Sequence, residues 1–145
     1  MQITLERLLY SLTNLAIKEK LVNYAAAGAS FNGINSLTVR DYPLIFLQPN
    51  GQHKMEEDFT TYSLNMYFVD RLSSDDSNDV SIYSTAIEVL RNFIKKIKEQ
   101  SFVVDLDDTI YVENFVDTQG KNDRCAGCVA HIKIKVLNDG VCYEE

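Results

Sequence analysis

The chain has 145 residues, 46% of them hydrophobic and 24% charged, with a formal net charge of −7. That length suffices for one domain with its own core, spanning residues 1–145 without disulfides or a metal, and the balance excludes an intrinsically disordered polymer. The acidic excess disfavours nonspecific adhesion to nucleic acid or anionic membranes, whose surfaces repel it at long range.

The N-terminal segment carries Glu6 and Arg7 among its first apolar residues. No apolar run approaches the roughly 18 residues of a spanning helix. The expectation is therefore a protein neither secreted by signal peptide nor embedded in a membrane. In TLERLLYSLTNLAIKEKLV, Leu5, Leu8, Leu9, Leu12, Leu15, Ala16 and Val22 gather on one side of a 3.6-residue helix. Thr4 is its candidate N-cap. The run YAAAGASFNGINS that follows is small and glycine-bearing, which reads as a loose strand or loop with a turn at Asn32-Gly33.

Leu44, Ile45, Phe46 and Leu47 form a short continuous apolar run closed by Pro49-Asn50-Gly51. Such a run predicts a strand buried on both faces, and Asn50-Gly51 predicts a tight hairpin because both residues accept positive φ. Past the acidic group Glu56-Glu57-Asp58, the returning strand sets Tyr62, Leu64, Met66 and Phe68 on one face and Ser63 and Asn65 on the other. Tyr67 and Val69 suggest that the second face is partly covered too. SSDDSND then breaks the pattern, offering short polar side chains as acceptors for the bare N–H groups of a new helix.

In that helix Ile82, Tyr83, Ala86, Ile87, Leu90, Phe93, Ile94 and Ile97 keep a 3-4 spacing for four turns. At about 1.5–3 kcal/mol per large buried apolar side chain, the stripe outweighs the helix-propensity losses of its β-branched residues. Arg91, Lys95, Lys96 and Lys98 read as its solvated face rather than a nucleic-acid footprint. Beyond Gln100 the chain returns to strand in FVVDL and TIYVENFV, and finally in CVAHIKIKVL. There Ala130, Ile132, Ile134 and Val136 alternate with His131, Lys133 and Lys135. The predicted class is α+β: an N-terminal helix, an antiparallel or mixed sheet and one long amphipathic helix packed on it, in the order α-β-β-β-α-β-β.

Three cysteines, Cys125, Cys128 and Cys142, are an odd count that points to free thiols in a reducing compartment. The CAGC pair lacks the helix N-terminus that a thioredoxin-like thiol requires, because the residues after it alternate as a strand. A zinc site on Cys125 and Cys128 would need further ligands, with Cys142, His131 and His53 as the ones the chain offers. It defines the alternative of a small zinc-stabilised binding adaptor. His53 and His131 have no nucleophile and orienting acid beside them in sequence, so each reads as a surface histidine. Neither the calcium-loop pattern nor a glycine-rich phosphate cradle is present, and no cofactor is expected.

DYPLIFLQPNG, the alternating strand ending MYFVDRL, the polar cap before STAIEVLRNFI and the closing DRCAGCVAHIKIKV, taken with the N-terminal helix, resemble the tail-terminator and head–tail joining proteins of tailed bacteriophages. Among these, the sequence looks like the small virion ring proteins of the crAss-like group. The resemblance implies a non-enzymatic structural subunit, assembled in the host cytoplasm and carried in the virion. It implies a six-fold or twelve-fold ring beside portal, connector or tail tube, through which DNA passes without specific binding. On that reading Asn50, Gly51, Glu56, Glu57 and Asp58 are candidates for the lumen or the ring contact. Asp75, Asp76, Lys133 and Lys135 are candidates for contacts between subunits.

Overall fold

A computed structural model describes residues 4–28, 41–73, 75, 77–117 and 124–138. The elements are α1 (Leu5–Ala16), β1 (Tyr24–Ala27), β2 (Leu44–Pro49), β3 (Lys54–Met55), β4 (Phe59–Arg71), α2 (Asp79–Lys98), β5 (Val103–Leu106), β6 (Tyr111–Asp117) and β7 (Cys125–Leu137). Among the described residues the fold is α+β with a mixed sheet and two helices. Two strands exceed the predicted order: the two-residue β3, and one of the three after α2, where FVVDL, TIYVENFV and CVAHIKIKVL each form the strand that its pattern predicts.

Thr4 caps α1, its Oγ1 accepting from the Arg7 amide at 3.1 Å. The helix ends earlier than its apolar pattern, and Lys18 to Val22 continue as turns that still deliver Val22 to the core. α2 runs the full predicted stripe, burying Ile82, Ala86, Val89, Leu90, Phe93 and Ile97. Its start differs from expectation. Asn78 makes no side-chain bond to the helix; it accepts from the Ser73 amide at 2.8 Å and donates to the Arg71 carbonyl at 3.2 Å, stitching the turn to the end of β4.

β4 and β7, thirteen residues each, pair antiparallel from Phe59↔Leu137 to Arg71↔Cys125 and form the spine of the sheet. β2 joins the other side of β4 antiparallel, and β1 lies parallel to β2, which makes the sheet mixed. The far side of β7 is shared: β6 takes Cys125 to His131 and β5 takes Ile134 to Val136. β2 and β4 do double back on each other, yet through a nine-residue connection, 50–58, containing β3, rather than a tight Asn50-Gly51 hairpin. Gly51 has φ 76 and turns the chain out of β2. Asn32-Gly33 falls outside the described residues.

Among the described residues both helices lie on one face of the sheet, and the opposite face is helix-free in that sense. Leu8 and Leu12 from α1 meet Leu90, Phe93 and Ile97 from α2 over Ile45, Leu47, Leu64, Met66, Phe68, Ile132 and Ile134. The other face carries a second, smaller cluster of Leu44, Phe46, Val69 and Cys125, against which the Tyr42, Tyr67 and Phe115 rings pack. One pair ties the turn after α1 to α2: the buried Glu19 carboxylate meets the Lys96 ammonium.

Candidate functional site

The acidic connection between β2 and β4 is built, not loose. The Asn50 amide donates to the Ser63 carbonyl at 3.0 Å, and the Ser63 hydroxyl donates to the Gln52 carbonyl at 2.6 Å. His53 Nδ1 accepts from the Ser63 amide at 3.1 Å, its ring set edge-on to Tyr62. Asn138, just past β7, pins the acidic turn. Its side-chain amide donates to the Glu56 and Glu57 carbonyls at 2.8 and 3.0 Å, and its backbone amide to the Asp58 carbonyl at 2.9 Å. Glu56, Glu57 and Asp58 are consequently held by their backbone with their carboxylates exposed. An asparagine some eighty residues away in sequence gives no local signal of this role.

Lys135 Nζ lies 3.9 Å from Glu56 Oε1 and 4.5 Å from the Phe59 ring centroid, so this lysine is engaged within its own chain. Asp75 is likewise engaged. Its carboxylate accepts from the Ser73 hydroxyl at 2.9 Å and the Ser77 amide at 3.1 Å, and hydrogen bonds from Ser77 and Ser73 hold its pKa below the ordinary carboxylate value. Lys133 sits exposed on the helix-free face. Asp76 falls outside the described residues.

Between the acidic turn and the aromatic cluster, a polar row crosses the helix-free face: Gln48, Asn65 and His131 are successive partners across β2, β4 and β7. Asn65 is nearly buried. Its amide nitrogen and the Tyr67 hydroxyl both donate to Gln48 Oε1, at 3.3 and 3.0 Å. That polarity leaves Asn65 Oδ1 as the acceptor for His131 Nδ1 at 2.6 Å, which fixes the tautomer with the proton on Nδ1. His131 Nε2 lies 3.6 Å from Glu113 Oε1, an ion pair when the ring is protonated. Burial pushes the Tyr67 phenol above its ordinary value, against an opposing pull from Asn65. The row borders an open cleft of about 300 Å³ lined in part by Asn50, Gln52, Ser63, Asp107 and Lys133. Sequence order gave His131 neither its amide nor its carboxylate partner, because both arrive from other strands.

The structure sets the two cysteines of the CAGC segment apart. Residues three apart in a strand emerge on opposite faces. Cys128 lies in the core beneath the helices and Cys125 in the cluster on the other face, so the two thiols do not converge on one ion. Cys142 falls outside the described residues. No group of three or more potential metal ligands occurs among the described residues. Cys128 Sγ donates to Asn114 Oδ1 at 3.1 Å, and burial raises its pKa, keeping it a neutral thiol. Gly127 explains the small residues between the cysteines: a Cβ there would stand 1.7 Å from the Phe68 carbonyl oxygen. Only a residue without a side chain lets β4 and β7 approach at this point, and the Phe115 ring covers the gap.

The third candidate surface is one that sequence reading passed over. β6 pairs with β7 on one side only among the described residues, and leaves Tyr111, Val112 and Val116 at 74%, 38% and 51% exposure. Beside it a groove of about 350 Å³ runs between α2 and the start of β6, lined by Ile87, Leu90, Ile94, Ile110 and Val112 with Arg91, Lys95 and Lys98 at its rim. The signal lies in Ile87 and Ile94, which belong to the 3-4 stripe yet sit at its margin. Comparison with protein-family models and with curated proteins finds no match to the chain. No described helix is long and apolar enough to cross a membrane.

Proposed function

We propose that this chain is a non-enzymatic structural subunit of a tailed-phage virion that closes into a ring at the head–tail junction or the tail end, with DNA passing through. The observation that carries the reading is β6, outermost on its side among the described strands, which exposes Tyr111, Val112 and Val116 beside the groove on α2. A sheet edge that exposes apolar side chains is an aggregation hazard that native proteins blunt or cover, and a defined neighbour is one way to cover it. A ring needs heterologous contacts, and open sheet edges supply them through main-chain hydrogen bonds.

The acidic turn supports the same reading. Glu57 and Asp58 present carboxylates from a backbone pinned by Asn138, and a chain of net charge −7 repeated around an axis makes a lumen that does not grip phosphate. Its neighbours on this reading are portal, connector or tail tube, and it reaches the virion after assembly in the host cytoplasm. Native mass spectrometry with negative-stain imaging tests the proposal. Closed assemblies of six or twelve copies are expected, either alone or on isolated particles. A single-chain mass in both settings would count decisively against it. Reversing Glu56, Glu57 and Asp58 to lysine should leave the number of copies in the ring unchanged and reduce infectivity.

A further inference from the structure

Four complete rungs cross the sheet from one edge to the other. Tyr24, Leu44, Val69, Gly127 and Phe115 form the first, and the next three run from Ala25 to Asn114, from Ala26 to Glu113 and from Ala27 to Val112. The two outermost strands, β1 and β6, therefore stand at the same level on opposite sides of a five-strand width. Their directions follow from the pairings. β1 runs with β2, β2 against β4, β4 against β7, and β7 against β6, so β1 and β6 are antiparallel to each other. Among the described residues each pairs on one side only.

We propose that successive copies join head to tail by antiparallel pairing of β6 in one copy with β1 in the next, extending one sheet around the ring. The inference rests on the ring reading and names the contact within it. Setting two copies side by side preserves strand directions, so the juxtaposed edges meet in the antiparallel sense that regular ladders favour. In the unshifted register Tyr24 meets Phe115 on the helix-free face and Ala27 meets Val112 on the helix face. Ala25 meets Asn114 and Ala26 meets Glu113. No like charges oppose one another, and an aromatic pair closes one end. The alanines of β1 offer no bulk against the edge, so the backbones can approach. Both faces continue in phase from copy to copy, and α1, which packs over β1 and β2, is carried to the side of the neighbour's α2 groove.

Two edge-blocked variants test this: Val112→Lys/Val116→Lys on β6, and Ala27→Lys on β1, all at exposed positions. Each leaves the other edge unaltered. Neither should form rings, both should keep the parent's far-UV circular dichroism and unfold cooperatively, though below the ring-stabilised parent, and an equal mixture should give a heterodimer by native mass spectrometry. Hydrogen exchange gives a second readout, with amides in 24–27 and 112–116 slowed at least tenfold in the parent ring relative to either variant. Rings of parental size from either variant, or unchanged exchange at both strands, would overturn the pairing and leave the ring reading standing. Self-dimers of Ala27→Lys would also overturn it, by showing a symmetric β6 contact. A parent that never forms a ring, alone or on particles, would overturn both.

Discussion

The two faces of the sheet are made by alternate residues of the same strands, yet they are held together differently. Beneath the helices, β4 and β7 present Leu64, Met66, Phe68, Ala130, Ile132, Ile134 and Val136 to one continuous core. On the other face β7 changes character along its length, from the cluster around Cys125, through the His131 row, to Lys133 and the paired Lys135. The first face depends on area removed from water, so its energy is spread over many contacts and is indifferent to their direction. The second depends on a few directed bonds, each modest in net worth but costly to leave half made. Stability should accordingly be concentrated on one face, and the freedom to carry a surface function on the other.

Truncation on each face breaks that contrast open. Phe93→Ala removes a fully buried ring from α2 and should cost about 3–5 kcal/mol, read as a fall in the denaturant midpoint at constant slope. Gly127→Ala acts at the seam of the two faces. The Cβ collides with the Phe68 carbonyl, and the backbone shift required should cost about 3 kcal/mol. An unchanged midpoint would mean that β4 and β7 are not in close approach there. Asn65→Ala, on the helix-free face, leaves His131 and Gln48 without one partner each and should cost about 1–2 kcal/mol. A loss as large as that of Phe93→Ala would erase the distinction between the faces.

The alternation in β4 and β7 and the 3-4 stripe of α2 could be read in advance because their periods are local consequences of backbone geometry. Even the partial cover expected over Tyr67 and Val69 is present, supplied by the aromatic cluster. What sequence order did not carry was everything that two distant segments make jointly. Asn138 holding 56–58, Glu19 meeting Lys96, and Glu113 facing His131 each depend on register between strands or helices far apart in the chain. Asn50-Gly51 misled for a related reason: it supplies the turn out of β2, but the pairing of β3 with β4 sets the length of the connection. The candidate assembly edge escaped because a strand's exposure is decided by what fails to pair with it. TIYVENFV looks the same in sequence whether it is central or outermost.

The smallest effect belongs to the β4–α2 turn, which neither face supports. Asp75 is fully exposed, and hydrogen bonds from Ser77 and Ser73 depress its pKa in the folded chain. A carboxylate depressed in this way contributes stability above its unfolded pKa and loses that contribution as pH falls through the folded value. Asp75→Ala should therefore melt slightly below the parent at neutral pH, and the gap should close as acid protonates the parent's carboxylate. Asp70, at the end of β4, works in the opposite sense. Burial raises its pKa over the weaker opposing pull of the Arg71 amide and guanidinium, so protonation stabilises the fold as pH falls. Parallel melts of Asp75→Ala and Asp70→Asn from neutral to mildly acidic pH separate the two. The Asp75 difference should shrink toward zero, while Asp70→Asn, already neutral, should keep at neutral pH a gain that the parent acquires only in acid. A gap for Asp75→Ala that persists below the carboxylate range would mean that the Asp75 side chain holds the turn by hydrogen bonds that do not need its charge.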